Sequence, residues 1–259
     1  MALIECRFYS EVLGLSTSMT VILPQKTTSQ IGMSNVTRGE LHPTLYLLHG
    51  LSDDDSIWLR RSSIERYVAE MGIAVVMPQV HRSFYTDMAA GGQYWTFISE
   101  ELPALARSFF PLSHKREDNF VAGLSMGGYG AFKLGLRKPE SFAAVASLSG
   151  SLDMVQYLKN TDDPAANKEY QMIFGENSIE GTPDDLLWLL KELDQSQGPK
   201  PAFYQCCGTA DFLYENNLSF RDACRKTSLS LTYDEGPGEH EWGYWDAKIR
   251  DVLNWLPLK

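Results

Sequence analysis

Residues 123–127 read Gly-Leu-Ser-Met-Gly, with the apolar run 119–122 directly before them and the helix-forming stretch GGYGAFKLGLRK beginning at Gly127. A serine hydroxyl is a weak nucleophile until its backbone is held in the open and a base stands beside it. The strand, sharp turn and helix that this pattern predicts supply the first condition. Side chains two before and two after Ser125 would crowd such a turn, and both positions are glycine. A helix starting at Met126 would aim free N–H groups and a partial positive charge at the reacting oxygen. The competing reading is a glycine-rich turn whose serine only caps a helix. The setting between an apolar strand and a helix favours the nucleophile.

The second condition is a base. Of five histidines, only His240 follows Ser125, in the turn-rich segment Gly-Pro-Gly-Glu-His-Glu-Trp, 236–242. For a serine on such a turn the chain order is serine, acid, histidine. The acid must reach the far imidazole nitrogen from a fixed strand end and hold the tautomer. Asp211, just past the apolar run 201–207, is placed for that role. Asp153 is the second candidate, and Asp234 and Glu235 stand shortly before the histidine.

The apolar run 43–48 ends in His-Gly-Leu-Ser, 49–52. Such a strand end supplies one donor of an oxyanion hole, so the backbone N–H groups of Leu51 and Met126 are assigned to it. His49 is expected to pack or hydrogen-bond beneath that turn. Trp95 and Trp242 are assigned to the pocket wall, while Trp58, Tyr94 and Trp245 divide between core and pocket. Asp53, Asp54 and Asp55 lack the spaced ligands of a calcium loop, and acidic residues before a helix serve capping. No metal is expected.

The elements that must position these residues are read from hydrophobic pattern. Strand-like runs at 3–10 and 16–23 open the chain, and a polar loop, 25–40, comes next. Continuous apolar runs at 43–48, 73–77, 119–122, 142–148, 201–207 and 228–233 suit strands buried on both faces of a parallel sheet. Between them lie helical segments. Ser62 and Glu65 have capping-box spacing, with Gly72 as a stop. Residues 95–110 read as a helix that Pro103 kinks. Residues 126–138 and 242–253 are helices too. Strand and helix alternate as in a doubly wound sheet. The stretch 150–198 is helical without a strand, an insertion that would act as a lid or pocket wall on a single domain, 1–259.

Composition limits the partners. The formal net charge is −10, which argues against nucleic acid and anionic membranes. Charges at Glu5 and Arg7 interrupt any signal-peptide core, and no apolar stretch approaches a membrane span. The four cysteines, Cys6, Cys206, Cys207 and Cys224, have no metal-site spacing and read as buried free thiols. The expectation is a cytoplasmic enzyme acting on a small molecule.

Four segments in order, LLHGLSDDDSIW, GLSMGGYGAFKLGL, CGTADFLY and GEHEWGYWD, resemble the esterase D group of α/β-hydrolases, nearest its tributyrin esterase branch of lactic acid bacteria and streptococci. The likeness spans nearly the whole chain. It implies the α/β-hydrolase fold, a mostly parallel central sheet with helices on both faces. It also implies a Ser125–His240–Asp211 triad, oxyanion donors at Leu51 and Met126, hydrolysis of short-chain acyl esters from acetyl to butyryl, no cofactor, and a tendency to form homo-oligomers. S-formylglutathione hydrolase, acetylated-carbohydrate deacetylase and acyltransferase are the alternative activities.

Overall fold

Eight strands share one sheet because most are apolar on both sides and can be covered only by helices on both faces. The computed structural model describes residues 1–32 and 34–258. The strands are β1 (Ala2–Ser10), β2 (Leu15–Leu23), β3 (Thr44–Leu48), β4 (Ala74–Pro78), β5 (Asn119–Leu124), β6 (Ala144–Leu148), β7 (Ala202–Gly208) and β8 (Leu231–Gly236). Their order is β1-β2-β4-β3-β5-β6-β7-β8. Strands β3 to β8 run parallel, and β1 and β2 add an antiparallel edge. From β3 the chain turns outward to β4, then returns across β3 to β5. That reversal opens a crevice at the carboxyl ends of β3 and β5, where ligands bind in sheets of this kind.

The helices are α1 (Ile57–Arg61), α2 (Ile64–Val68), α3 (Tyr94–Thr96), α4 (Leu102–Phe109), α5 (Met126–Arg137), α6 (Met154–Lys159), α7 (Pro164–Phe174), α8 (Leu186–Gln195), α9 (Tyr214–Cys224) and α10 (Trp242–Trp255). Alternate strand residues divide them into two cores. Tyr46, Leu48, Val76, Val121, Val145 and Phe203 face α4, α5, α8 and α9. Leu45, Leu47, Val75, Phe120, Ala122 and Tyr204 face α1, α2 and α10. Each large apolar side chain among them stabilises the fold by roughly 1.5–3 kcal/mol, so β5, apolar on both sides, is a rigid mount for Ser125. Edge strand β1 instead alternates half-buried and exposed residues, as a strand with one covered face does.

Some elements differ from the sequence expectation. Ser62 does not open a capping box. It ends α1, with its hydroxyl donating to the Trp58 carbonyl at 2.5 Å, and Ser63 precedes α2 without a side-chain cap. The serine bonds back into the turn before it, so a short helix, α1, stands ahead of the expected one, which starts at Ile64 as α2. Residues 94–109 are helical throughout, but a π-turn at Phe97–Glu101 links α3 to α4. There the Leu102 N–H donates to the Phe97 carbonyl, five residues back. Pro103 sits in the first turn of α4, lacks an N–H and crowds the carbonyl four residues earlier, so the ladder loosens for one turn rather than breaking. The stretch 150–198 holds α6, α7 and α8 and no strand. Strand β8 begins three residues later than the apolar run suggests, and α9 carried no readable signal.

Candidate active site

Ser125 stands in the gap between β5 and α5 with φ +54° and ψ −119°, a conformation that costs an L-residue energy and persists only where its surroundings enforce it. They enforce it by contact. A Cβ on Gly123 would lie 2.3 Å from the Gly127 carbonyl oxygen, and one on Gly127 would lie 2.5 Å from the Leu48 carbonyl oxygen. Only bare backbone lets β3, β5 and α5 approach so closely. The Ser125 N–H donates to the Leu148 carbonyl at 2.9 Å, tying the turn to β6.

His240 reaches this serine from the loop between β8 and α10. Its Nε2 lies 3.0 Å from Ser125 Oγ, and its Nδ1 lies 3.0 and 2.9 Å from the two Asp211 oxygens. The loops carrying acid and base are stitched together, with the Thr209 N–H donating to the Gly236 carbonyl at 2.9 Å and the Ala210 N–H to the Gly238 carbonyl at 3.0 Å. Phe212 and Trp245 hold the imidazole from two sides, their ring centroids 4.5 and 4.8 Å from it. The Asp211 side chain is fully buried. Burial alone would raise its carboxyl pKa, but hydrogen bonds from His240, the Leu213 N–H and the Ser149 hydroxyl outweigh it and hold the pKa below the usual range. A carboxylate kept ionised there fixes the proton of His240 on Nδ1 and leaves Nε2 free to accept from Ser125.

Asp153 is elsewhere. It caps α6, accepting from the Gln156 N–H at 3.0 Å and from the Ser219 hydroxyl at 2.6 Å. Of the two tryptophans assigned to the pocket, Trp242 lines the cavity at Ser125 and Trp95 does not. Trp95 is buried against α5, with the Arg137 guanidinium 3.8 Å and the Lys133 ammonium 5.3 Å from its ring centroid. Two cations against its ring are a reason for this indole to stay in the core.

The turn after β3 is clamped from below. Trp58 Nε1 donates to the Leu48 carbonyl at 3.0 Å, and the Tyr85 hydroxyl donates to the His49 carbonyl at 2.9 Å. His49 itself is buried. Its Nε2 accepts from the Val80 N–H at 3.1 Å, so its proton is on Nδ1, which donates to the Gly50 carbonyl at 2.7 Å. Burial lowers its pKa below the ordinary histidine value and keeps it neutral. Among the described residues every peptide is trans, so the Leu51 N–H points away from the His49 ring, opposite the Gly50 carbonyl. Met126 contributes the first N–H of α5, which has no partner within the helix.

The three aspartates after this turn have separate tasks. Asp53 accepts from the Gly50 N–H at 3.3 Å. Asp54 accepts from the Ser56 N–H and hydroxyl in the turn before α1. Asp55 accepts from Ser18 and Thr20 of β2. Among the described residues no group of histidine, cysteine and acidic side chains could hold a metal, and no helix is long and apolar enough to cross a membrane.

Two features had no readable signal in the sequence. Ser149, at the end of β6, adopts φ +50°. Its oxygen accepts from Trp245 Nε1 at 3.2 Å, and its hydroxyl is among the groups that lower the Asp211 pKa. A small polar residue one position past a strand was the only hint. The second is the fully buried Lys133, whose Nζ lies 2.5 Å from Asp184, 2.7 Å from the Thr86 hydroxyl and 3.0 Å from the Tyr85 carbonyl. It ties the insertion to α5 and to the strained loop carrying Phe84 and Tyr85.

Ser125 and His240 open into a cavity of about 480 Å³ that Leu51, Asp53, Phe212, Trp242 and Trp245 also line. Through Leu51, Ser52 and Asp53 it adjoins a second cavity of about 700 Å³, walled by Met88, Tyr94 and, from α7, Met172 and Ile173. The insertion thus forms a wall of the second space.

Known proteins resemble this chain along nearly its whole length. A family model described as "Putative esterase" matches residues 10–256. An acetyl esterase of Caldicellulosiruptor saccharolyticus is 32% identical over 99% of this chain and 98% of its own length. A fluorophosphonate-binding serine hydrolase of Staphylococcus aureus superposes with a TM-score of 0.88 at 36% identity, with 98% of each chain covered. An S-formylglutathione hydrolase of the same organism gives 0.85 at 37% identity, again covering 98% of each chain.

Proposed function

Because the chain belongs to the esterase family and is a serine esterase, a hydrolase of carboxylic esters, we propose that it cleaves short-chain acyl esters, acetyl to butyryl, through Ser125, His240 and Asp211. One observation carries this reading, the continuous hydrogen-bonded line from the strained Ser125 through His240 to buried Asp211.

The chemistry runs in two halves. His240 Nε2 takes the Ser125 proton as Oγ attacks the ester carbonyl, and Asp211 stabilises the imidazolium. The carbonyl oxygen becomes an oxyanion between the N–H groups of Leu51 and Met126, where each donor is worth roughly 10²–10³ in kcat. His240 then returns its proton to the departing alcohol, leaving an acyl-serine. Water then attacks the acyl carbonyl as it loses a proton to His240, the bond to Oγ breaks as His240 returns that proton to Ser125, and the carboxylic acid is released.

The acetyl esterase relative supports an acetyl-sized acyl group. A second reading, thioester hydrolysis on glutathione, draws on the Staphylococcus aureus S-formylglutathione hydrolase. A p-nitrophenyl ester series from acetate to palmitate tests the proposal, with Ser125→Ala as control. Activity peaking at two to four carbons and absent from the variant supports it. Inactivity of the folded wild type on every chain length overturns it.

A further inference from the structure

The cleft around Ser125 has an unusual lining. Three aromatic side chains, Phe212, Trp242 and Trp245, and two acidic ones, Asp53 and Glu241, face it, with no lysine or arginine among its residues. The Glu241 oxygens are occupied by the Gly243 and Tyr244 N–H groups at the start of α10. Asp53 is different. One of its oxygens accepts from the Gly50 N–H, while Oδ1 has no hydrogen-bond partner among the described residues. Asp53 also lines the adjoining cavity, where the one arginine, Arg82, is held by both oxygens of Glu169. Neither space therefore offers a free guanidinium or ammonium to an anion.

Mechanism says which part of the ester meets this lining. His240 must hand its proton to the departing oxygen, so the alcohol portion lies on the His240 side of Ser125, beside Phe212, Trp242 and Trp245. Aromatic rings with a nearby carboxylate are the combination that recognises alkylammonium groups. The chain's net charge of −10 adds a field of the same sign. We propose that the cleft selects esters whose alcohol portion carries a positive charge, an alkylammonium group above all, and disfavours anionic ones, with Asp53 as the residue that reads the charge. This deepens the esterase reading and rests on it. It also predicts poor turnover of glutathione thioesters, whose thiol portion carries two carboxylates and one ammonium.

The test compares kcat/KM for three acetyl esters: acetylcholine, its uncharged isostere 3,3-dimethylbutyl acetate, and the acetyl ester of glycolate. Wild type is expected to favour the cation over the isostere by about three- to tenfold, the range of a partly solvated charge pair, and to disfavour the anion similarly. Asp53→Asn keeps an oxygen for the Gly50 N–H and should bring the cation-to-isostere ratio towards one. Asp53→Glu should preserve it. Raising the salt concentration should shrink it in wild type. Each ratio is taken within one preparation, so a partly misfolded variant does not distort it. If the neutral isostere is turned over with a wild-type ratio of one or below, or if Asp53→Asn leaves the ratio unchanged, the charge reading is overturned and the esterase reading stands. If none of the three is hydrolysed although p-nitrophenyl esters are, the charge reading is overturned alone; if the p-nitrophenyl series is inactive too, both fall.

Discussion

His49 Nδ1 and the Gly50 carbonyl, 2.7 Å apart, set the orientation of one peptide plane. A histidine that is not a base thereby decides where the Leu51 N–H points. Replacing it with phenylalanine frees that plane to rotate. His49→Phe is expected to lower kcat by about 10² with little change in KM, as loss of one oxyanion donor does. Binding of a trifluoromethyl ketone, which mimics the oxyanion, should weaken in proportion, whereas binding of a substrate-like amide should not. Equal weakening of both ligands would show that His49 only supports the fold.

The two candidate acids separate cleanly. Asp211→Asn should lower kcat by up to ~10⁴, because the imidazole then takes the wrong tautomer. Asp153→Asn should leave kcat near wild type, since Asp153 caps α6 through Gln156. Steady-state kinetics on p-nitrophenyl acetate decide the matter, and a silent Asp211→Asn would refute the proposed acid.

Buried Lys133 pairs with the partly exposed Asp184. Asp184→Asn leaves the ammonium without its counter-charge and should cost about 3 kcal/mol. Lys133→Met combined with Asp184→Leu should cost less than that single change, because no charge is left stranded. Urea unfolding of the three proteins measures the difference.

The same lysine gives a pH signature. Burial lowers its pKa from 10.5 to about 8 against the pull of Asp184. Between those values the unfolded chain holds a proton that the folded chain has lost. Stability from this group therefore rises with pH across that window and is lost as pH falls through about 8. Unfolding free energies at pH 7.5 and pH 9.5 should show Lys133→Met lacking that rise relative to wild type. An identical pH dependence in the two proteins would refute the assignment.

Much of this architecture was legible because burial on both faces leaves no alternation in a strand. The runs around Leu47, Val75, Val121 and Val145 announced a helix-covered sheet, and the chain order of Ser125, Asp211 and His240 named three side chains that stand in contact. What escaped notice depends on tertiary context. Helix α9 buries Asn216 and Asn217, and Asn217 serves the Gly150 and Leu213 carbonyls, so its inner face is too polar to show a hydrophobic period. Trp95 has the composition of a pocket residue, and only the positions of Lys133 and Arg137 on α5 draw it inward. Ser62 has capping spacing, yet its hydroxyl found the nearer Trp58 carbonyl. Strand β8 lies at the sheet edge, where Asp234 and Glu235 are tolerated, so the apolar run marks its beginning poorly.

The stitching of the 209–211 segment to the 236–238 segment has a mechanical consequence. With Thr209 and Ala210 bonded across to Gly236 and Gly238, the carboxylate and the imidazole ride on one rigid carriage, and Ser125 is anchored separately between β5 and α5. The contact between Oγ and Nε2 is then the joint at which the two mounts meet. Thermal breathing in that half of the molecule changes the reach of the proton transfer without disturbing the tautomer that makes it possible.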